Sequence, residues 1–437
     1  MSLSTIPFKK IALYILSLFV GFALLLIIIN LPMFDEELRP DVKLANQIPS
    51  EIDPQQNAYF SLLGMQASAE KDMHLVGVQL TARHVQNREQ HQQDELTAAD
   101  REEIAGGEDL DRAWLEQYSS CNSRKVSGCL AKMVAEIEKK PVTDVRFQVA
   151  MRRYKQLIEM GQYQDLQRAS PGTPLPQFGT PLRFAKIYLA QLSIEKDPLV
   201  FLIALKKDMK FWRMVLNQST TLISKMIATA VISNDLQYLS EFLQNKTFTT
   251  QQQRLIQELL VVLSKDELDI SKAIWGEGRM MMSIYNSMKE NQLVRMTSQY
   301  NATLNIYYDF AVKPDIDLAK LSSMKLAQAL SQTRPSRQLP LTWSPSSLYN
   351  IMGKLLVVDA SPSFIEYIAR VHDLNGMILL VQLQLSLKSL PIEALEDGIK
   401  KSPIKNPYTN QAMLWNKANG TIEFKCLEAK SICQVKI

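Results

Sequence analysis

The sequence predicts a mainly α protein: an N-terminal transmembrane helix followed by a helical-hairpin body, with a small C-terminal disulfide-closed β-hairpin that makes an α+β end. Three observations carry that prediction. Ile11 to Leu31 runs twenty-one residues without a charge. Glycine is scarce, at 15 of 437 residues, which suits helices, where it costs about 1 kcal/mol relative to alanine. The four cysteines fall into two close pairs, Cys121 with Cys129 and Cys426 with Cys433.

The apolar run is long enough to cross a bilayer, because at about 1.5 Å per residue it spans ~31 Å. Fifteen of its twenty-one residues are Leu, Ile, Val or Phe, each favouring insertion by about 0.3 to 0.6 kcal/mol near the bilayer centre. A cleaved signal peptide has a shorter apolar core, of about 7 to 15 residues, and ends at a small-x-small site. This run ends in Asn30-Leu31-Pro32-Met33-Phe34, which contains no such site. Lys9 and Lys10 precede it, whereas Asp35, Glu36 and Glu37 follow. The positive-inside tendency therefore predicts residues 1–10 in the cytoplasm and the rest exported.

The net charge of +4 includes Lys9 and Lys10, so the exported part is near neutral and points to no nucleic-acid partner. Few glycines also weigh against nucleotide-binding α/β folds, which need them at phosphate turns. In an oxidising compartment the cysteine pairs predict two local disulfides, each closing a short loop and contributing roughly 2 to 3 kcal/mol. Spacings of eight and seven do not match the two to four residues of a zinc ribbon. Setting Cys426 opposite Cys433 in a hairpin places Phe424 against Val435 and Ile422 against Ile437. Glu423, Lys425, Gln434 and Lys436 then share the other face.

Taken in order, residues 32–56 read as a stalk, and residues 57–169 as the first exported region. Asn57-Ala58-Tyr59 opens it, and His74 to Leu80 has the character of a short strand. Val85 to Gln117 is strongly polar and predicts a solvated loop. Thr143 to Gly161 has a capping threonine, a helical stripe and a terminal glycine. A helical core then occupies residues 180–332. Thr180-Pro181, Asp197-Pro198 and, later, Ser361-Pro362 each pair a cap with proline at the first helical position. After Pro198, Leu202, Leu205, Met209, Trp212 and Val215 form a core stripe opposite Lys206, Lys207, Lys210 and Arg213. Further helices are predicted at Thr221 to Leu243, Thr250 to Leu263, Leu268 to Asn291 and Asp317 to Gln332. No fixed-period repeat relates them. A proline-rich connector, Thr333 to Pro345, precedes the C-terminal α+β region, 346–437, where Phe364 to Arg370 and Met377 to Leu387 read as two helices.

Asn57-Ala58-Tyr59 near the start, together with Asn406-Pro407-Tyr408-Thr409, Met413, Trp415, Ile422 and Phe424 at the end, resembles an uncharacterised family of singly membrane-anchored envelope proteins of proteobacteria. The resemblance covers only the ends of the chain. It implies a bacterial inner membrane and carries no activity with it.

No catalytic, cofactor-binding or metal site emerges. Gly-x-Ser-x-Gly, His-Glu-x-x-His and the P-loop are absent from the sequence, and with them the local chemistry each supports. Ser-x-x-Lys occurs at Ser68/Lys71, Ser193/Lys196, Ser322/Lys325 and Ser402/Lys405 without the Lys-Thr-Gly companion of penicillin-binding enzymes. His74, His84 and His91 lie close in sequence, with His372 apart, but His84 and His91 sit in polar sequence, where solvated side chains are the simpler reading. Asp109/Asp111 and Asp315/Asp317 echo the metal-binding Asp-x-Asp of Golgi glycosyltransferases, but Asp315 and Asp317 read better as the acidic start of a helix. Asn217, Asn245, Asn301 and Asn419 head sequons that matter only in a eukaryotic lumen. The function expected is a protein-binding scaffold or assembly factor of the cell envelope. The alternative is an envelope or lumenal enzyme acting on polysaccharide or peptide through carboxylates distant in sequence.

Overall fold

The N-terminal apolar run forms one helix, Phe8–Ile29, long and apolar enough to cross a membrane, and none of its stretch Ile11–Ile29 is buried by protein. The computed structural model describes residues 8–48, 50–91, 100, 110, 114, 117–118, 121–122, 126–139, 144–166, 172–244, 246–288, 291–332, 348–359, 363–429 and 431–437. The chain divides into two compact units that interleave along it. One is Met1–Gln47, Gly278–Asp315 and Arg334–Ser363, and the other is Ile48–Glu277, Ile316–Thr333 and Phe364–Ile437.

In the larger unit the central element is helix Leu222–Gln244, which packs against helices Cys129–Ile137, Gly179–Ser193, Pro198–Gln218 and Ile365–Leu387. The reason is compositional, since it carries apolar side chains on every side and is buried nearly all round. Asp197 caps the neighbouring helix by accepting from Leu199 N, with Pro198 in its first turn, and Leu202, Leu205, Met209, Trp212 and Val215 are all buried. Helix Val145–Ile158 starts on the cap Asp144, and Thr249 and Ser264 make capping boxes for Thr250–Leu259 and Lys265–Leu268. Among the described residues this unit also contains helices Ala58–Leu63, Met73–His91, Ser323–Ser331 and Leu395–Lys401.

Several expectations are corrected here. His74 to Leu80 is no strand but part of helix Met73–His91. Gly64 and Gly77 permit this, because a Cβ on Gly77 would lie 1.9 Å from Phe60 O and one on Gly64 2.0 Å from Met73 O. Only glycine lets the two backbones cross so closely. The helix takes in residues 85–91 of the expected polar loop, and in the rest of it Asp100, Leu110 and Trp114 are buried, with Asp100 paired to Arg83 at 3.2 Å. Ile365–Leu387 is one continuous helix rather than two, since Asn375-Gly376 is no break when Gly376 lies under the ring of Phe424. Asp317 to Gln332 is two helices, Lys313–Ala319 and Ser323–Ser331, interrupted where Ser322 caps the second. Ser361 and Pro362 lie outside the described residues.

Both disulfides, Cys121–Cys129 and Cys426–Cys433, are formed. The first sits where Glu241 accepts hydrogen bonds from Cys129 N and Leu130 N, each at 3.0 Å, so one helix caps the start of another. The C-terminal sheet has three antiparallel strands in the order β1 (Leu414–Asn416), β2 (Thr421–Glu423) and β3 (Gln434–Lys436). Its register differs from expectation by two residues: Ile422 pairs with Val435, and Phe424 N donates to Cys433 O. A shift of two preserves the faces, so Ile422, Phe424 and Val435 are still buried. The chain leaves the ladder beyond Phe424 because Leu427 N and Glu428 N turn to donate to Asp373.

The other unit contains a second correction. Residues 32–47, expected to be stalk, fold against Gly278–Asp315 and residues 348–359. Asp35 accepts from Asn301 N and Ala302 N, capping helix Tyr300–Tyr307. Arg39 grips Asp309 with its two terminal guanidinium nitrogens, at 2.6 and 2.7 Å. Val42, on helix Pro40–Ala45, joins Met282, Tyr285 and Leu304 in the core of this unit. Composition suggested a tether, whereas Asp35 caps a helix 266 residues further along the chain.

Candidate functional site

The larger unit holds a cleft of about 840 Å³. Helix Met73–His91 supplies Val78, Thr81, His84 and Val85, successive positions of one helical face. The opposite walls are residues 48–57 and 164–166. They are zipped together: Asn57 Oδ1 accepts from Gln164 N at 2.9 Å, Asn57 Nδ2 donates to Gln164 O at 2.8 Å, and Gln164 Oε1 accepts from Ile52 N. Asn57 Oδ1 also accepts from Tyr59 N, so the Asn-Ala-Tyr motif is a helix cap. Asp165 accepts from Tyr163 OH, Ser224 Oγ, Thr220 N and Thr221 N. Burial nevertheless pushes its carboxyl above the ordinary range. Asn57, Gln164 and Asp165 thus bond to the protein, and much of what faces the space is apolar: Ile48, Ile52, Phe60, Val78, Val85 and Leu166. Such a cleft receives apolar side chains more readily than a polar small molecule.

The sequence elements that suggested chemistry are spent on structure. Ser322 Oγ accepts from Lys325 N and Ser402 Oγ from Ile404 N, while Ser193 Oγ donates to Ala190 O. Ser68 lends its carbonyl to Arg153, a buried guanidinium that also holds the carbonyls of Met65, Ala67 and Lys71. Two Ser–His contacts are new. Ser61 Oγ lies 2.8 Å from His74 Nδ1, and His74 Nε2 lies 3.0 Å from Pro54 O, an arrangement with the proton on Nε2 and the serine donating to Nδ1. Ser61, however, is fully buried. Ser323 Oγ lies 2.9 Å from His372 Nδ1, burial pushes His372 down to about 4, and no hydrogen bond orients its Nε2. Nucleophilic catalysis requires both access and an oriented base, and neither contact combines them. Among the described residues one group has metal-ligand proximity, Asp373 with Cys426 and Cys433. The two sulfurs are bonded to each other, which leaves a single carboxylate.

The sequence reading missed a pair of buried acids on adjoining helices, Asp208 and Asp235, both 0% exposed. Asp208 Oδ1 accepts from Tyr154 OH at 2.5 Å, and Trp212 Nε1 donates to that same phenol oxygen at 2.9 Å. Burial pushes Asp208 up to about 7, and burial together with the charge of Asp208 pushes Asp235 well above the usual range. The signal was present, since Asp208 interrupts the apolar stripe between Leu205 and Trp212. Paired acids of a glycosidase flank an open cleft, whereas these lie inside the helix packing.

No protein-family model, curated protein or solved structure matches the chain.

Proposed function

We propose that this chain is a single-pass protein of a bacterial inner membrane, with residues 1–10 cytoplasmic and the folded units periplasmic. Its helical body acts as a scaffold or assembly factor that binds another protein of the cell envelope. The observation that carries this reading is the unburied apolar helix through Ile29, long enough to span a bilayer and joined to folded units that hold two disulfides. The resemblance of the chain ends to singly anchored envelope proteins points the same way. The largely apolar lining of the cleft supports a partner that inserts side chains rather than a substrate that is turned over.

A photo-crosslinking residue at Val85, exposed on the cleft face, tests the reading in intact cells. The expected result is one adduct of constant mass, lost when Val78 is replaced by Asp while the disulfides still form. Access of a cytosolic protease to a C-terminal tag would overturn the topology. A crosslink pattern unchanged by V78D would overturn the role of the cleft.

A further inference from the structure

The unit that contains the anchor carries apolar surface close to the point where the anchor ends. Asn30 is 2% exposed. Its amide nitrogen donates to Leu26 O at 2.8 Å and to Leu348 O at 3.2 Å, and its oxygen accepts from Asn350 N at 2.7 Å. Gln299 donates to Leu31 O at 2.9 Å, and Tyr349 OH to Phe34 O at 2.9 Å. Asn350 is itself locked: it has φ +54°, and its side-chain oxygen accepts from Gln299 N and Thr303 Oγ1. Helix Ile351–Asp359 therefore starts one hydrogen bond from the residue that closes the anchor.

That helix is apolar on two faces. Gly353 and Val357 are buried, and a Cβ on Gly353 would lie 2.0 Å from Thr303 Oγ1. On another face Leu355 and Val358 are 44% and 43% exposed, in line with Ile351 at helical spacing. A short helix, Gln292–Thr297, packs beside both the anchor and this helix, with Val294 buried and Met296 exposed. In the last turns of the anchor Leu26, Ile27 and Ile29 are half-covered, while most of the span above them is open. Protein thus accompanies the anchor about one turn, roughly 5 Å, back from Asn30, which is the depth of the boundary between headgroups and acyl chains. Met33 and Phe34, 78% and 52% exposed, leave the anchor at the same level.

We propose that this unit seats itself on the bilayer, with Leu355 and Val358, joined by Met296, Met33 and Phe34, entering the headgroup layer of the leaflet where the anchor emerges. The inference rests on the anchored reading above. Lipid is the occupant that continuity selects, because a surface fixed by hydrogen bonds to the end of a transmembrane span faces the same bilayer. The anchor then holds the unit in one fixed pose rather than letting it swing as a tethered domain.

The test uses the full chain in its native membrane, with a benzophenone residue placed singly at Leu355, Val358, Leu18 within the anchor, or Val261, an exposed apolar position of the other unit. After illumination, lipid adducts are counted by mass spectrometry. Adduct yields at 355 and 358 comparable to that at 18, and about fivefold or more above that at 261, are expected for an interfacial helix. Adducts at 18 with none at 355 and 358 would overturn the seat and leave the anchor standing. Crosslinks from 355 or 358 to protein, whether a second copy or another chain, would likewise overturn it. No lipid adduct at 18 would remove the anchored reading and this inference together.

Discussion

Asp208→Asn is the most informative single change, because it removes a buried titratable proton while keeping an acceptor for Tyr154. Asp208 accepts from Tyr154 OH through Oδ1, its Oδ2 has no hydrogen-bond partner, and Asp235 lies near enough to feel its charge. Burial raises its folded-state pKa from 3.8 to about 7. The folded chain thus keeps a proton that the unfolded chain releases above about pH 4, so stability falls as pH rises from there to about 7. At 1.36 kcal/mol per pH unit the full loss is on the order of 4 kcal/mol. Asparagine keeps an acceptor for Tyr154 and cannot ionise. The variant should therefore be similar to the parent near pH 4.5 and more stable by a few kcal/mol at pH 8. Lys225, which burial pushes down to about 7, acts in the opposite sense, adding stability as pH rises from about 7 towards 10.5. Because both proteins carry Lys225, its contribution cancels in the comparison. Denaturant titration of the detergent-solubilised full chain, followed by tryptophan fluorescence, measures this directly. Parallel stability curves for the parent and D208N between pH 5 and 8 would refute the reasoning.

Other predictions follow from single contacts. Gly77→Ala drives a methyl into the Phe60 carbonyl and should cost about 3 kcal/mol or more in denaturant titration, whereas Gly161→Ala, with open space around it, should be near neutral. Arg153→Met strips four carbonyls of their donor at about 1 to 3 kcal/mol for each left dry. Limited proteolysis should then cut between Met65 and Lys71, and an unchanged digest would contradict the clamp. Replacing Cys426 and Cys433 together by Ser should cost roughly 2 kcal/mol, with faster hydrogen exchange confined to residues 424–437. Asn30→Leu leaves Leu348 O and Asn350 N without their partner. Hydrogen exchange should rise across 299–305 and 348–359 and stay unchanged in helix Leu222–Gln244.

Much of the fold was legible because it is local. The charge-free run of the anchor, the Asp197-Pro198 cap and the stripe through Trp212 depend on neighbours within a turn or two. Each appears where spacing placed it. The cleft was not legible, because its walls come from residues 48–57, 73–91 and 164–166, brought together by contacts such as Asn57–Gln164, Ile52–Gln164 and Pro54–His74. Nor was the role of Asn57-Ala58-Tyr59, where the quoted motif proved to be a cap and a wall brace.

By itself the sequence determined an apolar span, the helical class and the pairing of four cysteines, since hydrophobic period, capping chemistry and short loop closure are properties of contiguous residues. Tertiary structure alone decided that residues 32–47 are a folded brace, that the last hairpin pairs two residues out from its cysteines, and that Asp208 is buried beside Asp235. Each of those outcomes turns on a partner far along the chain: Asp35 on Asn301, the end of the hairpin on Asp373 through Leu427, and Asp208 on a neighbouring helix. A polar side chain's value depends on whether such a partner meets it or burial leaves it alone, and that is settled only when the helices pack.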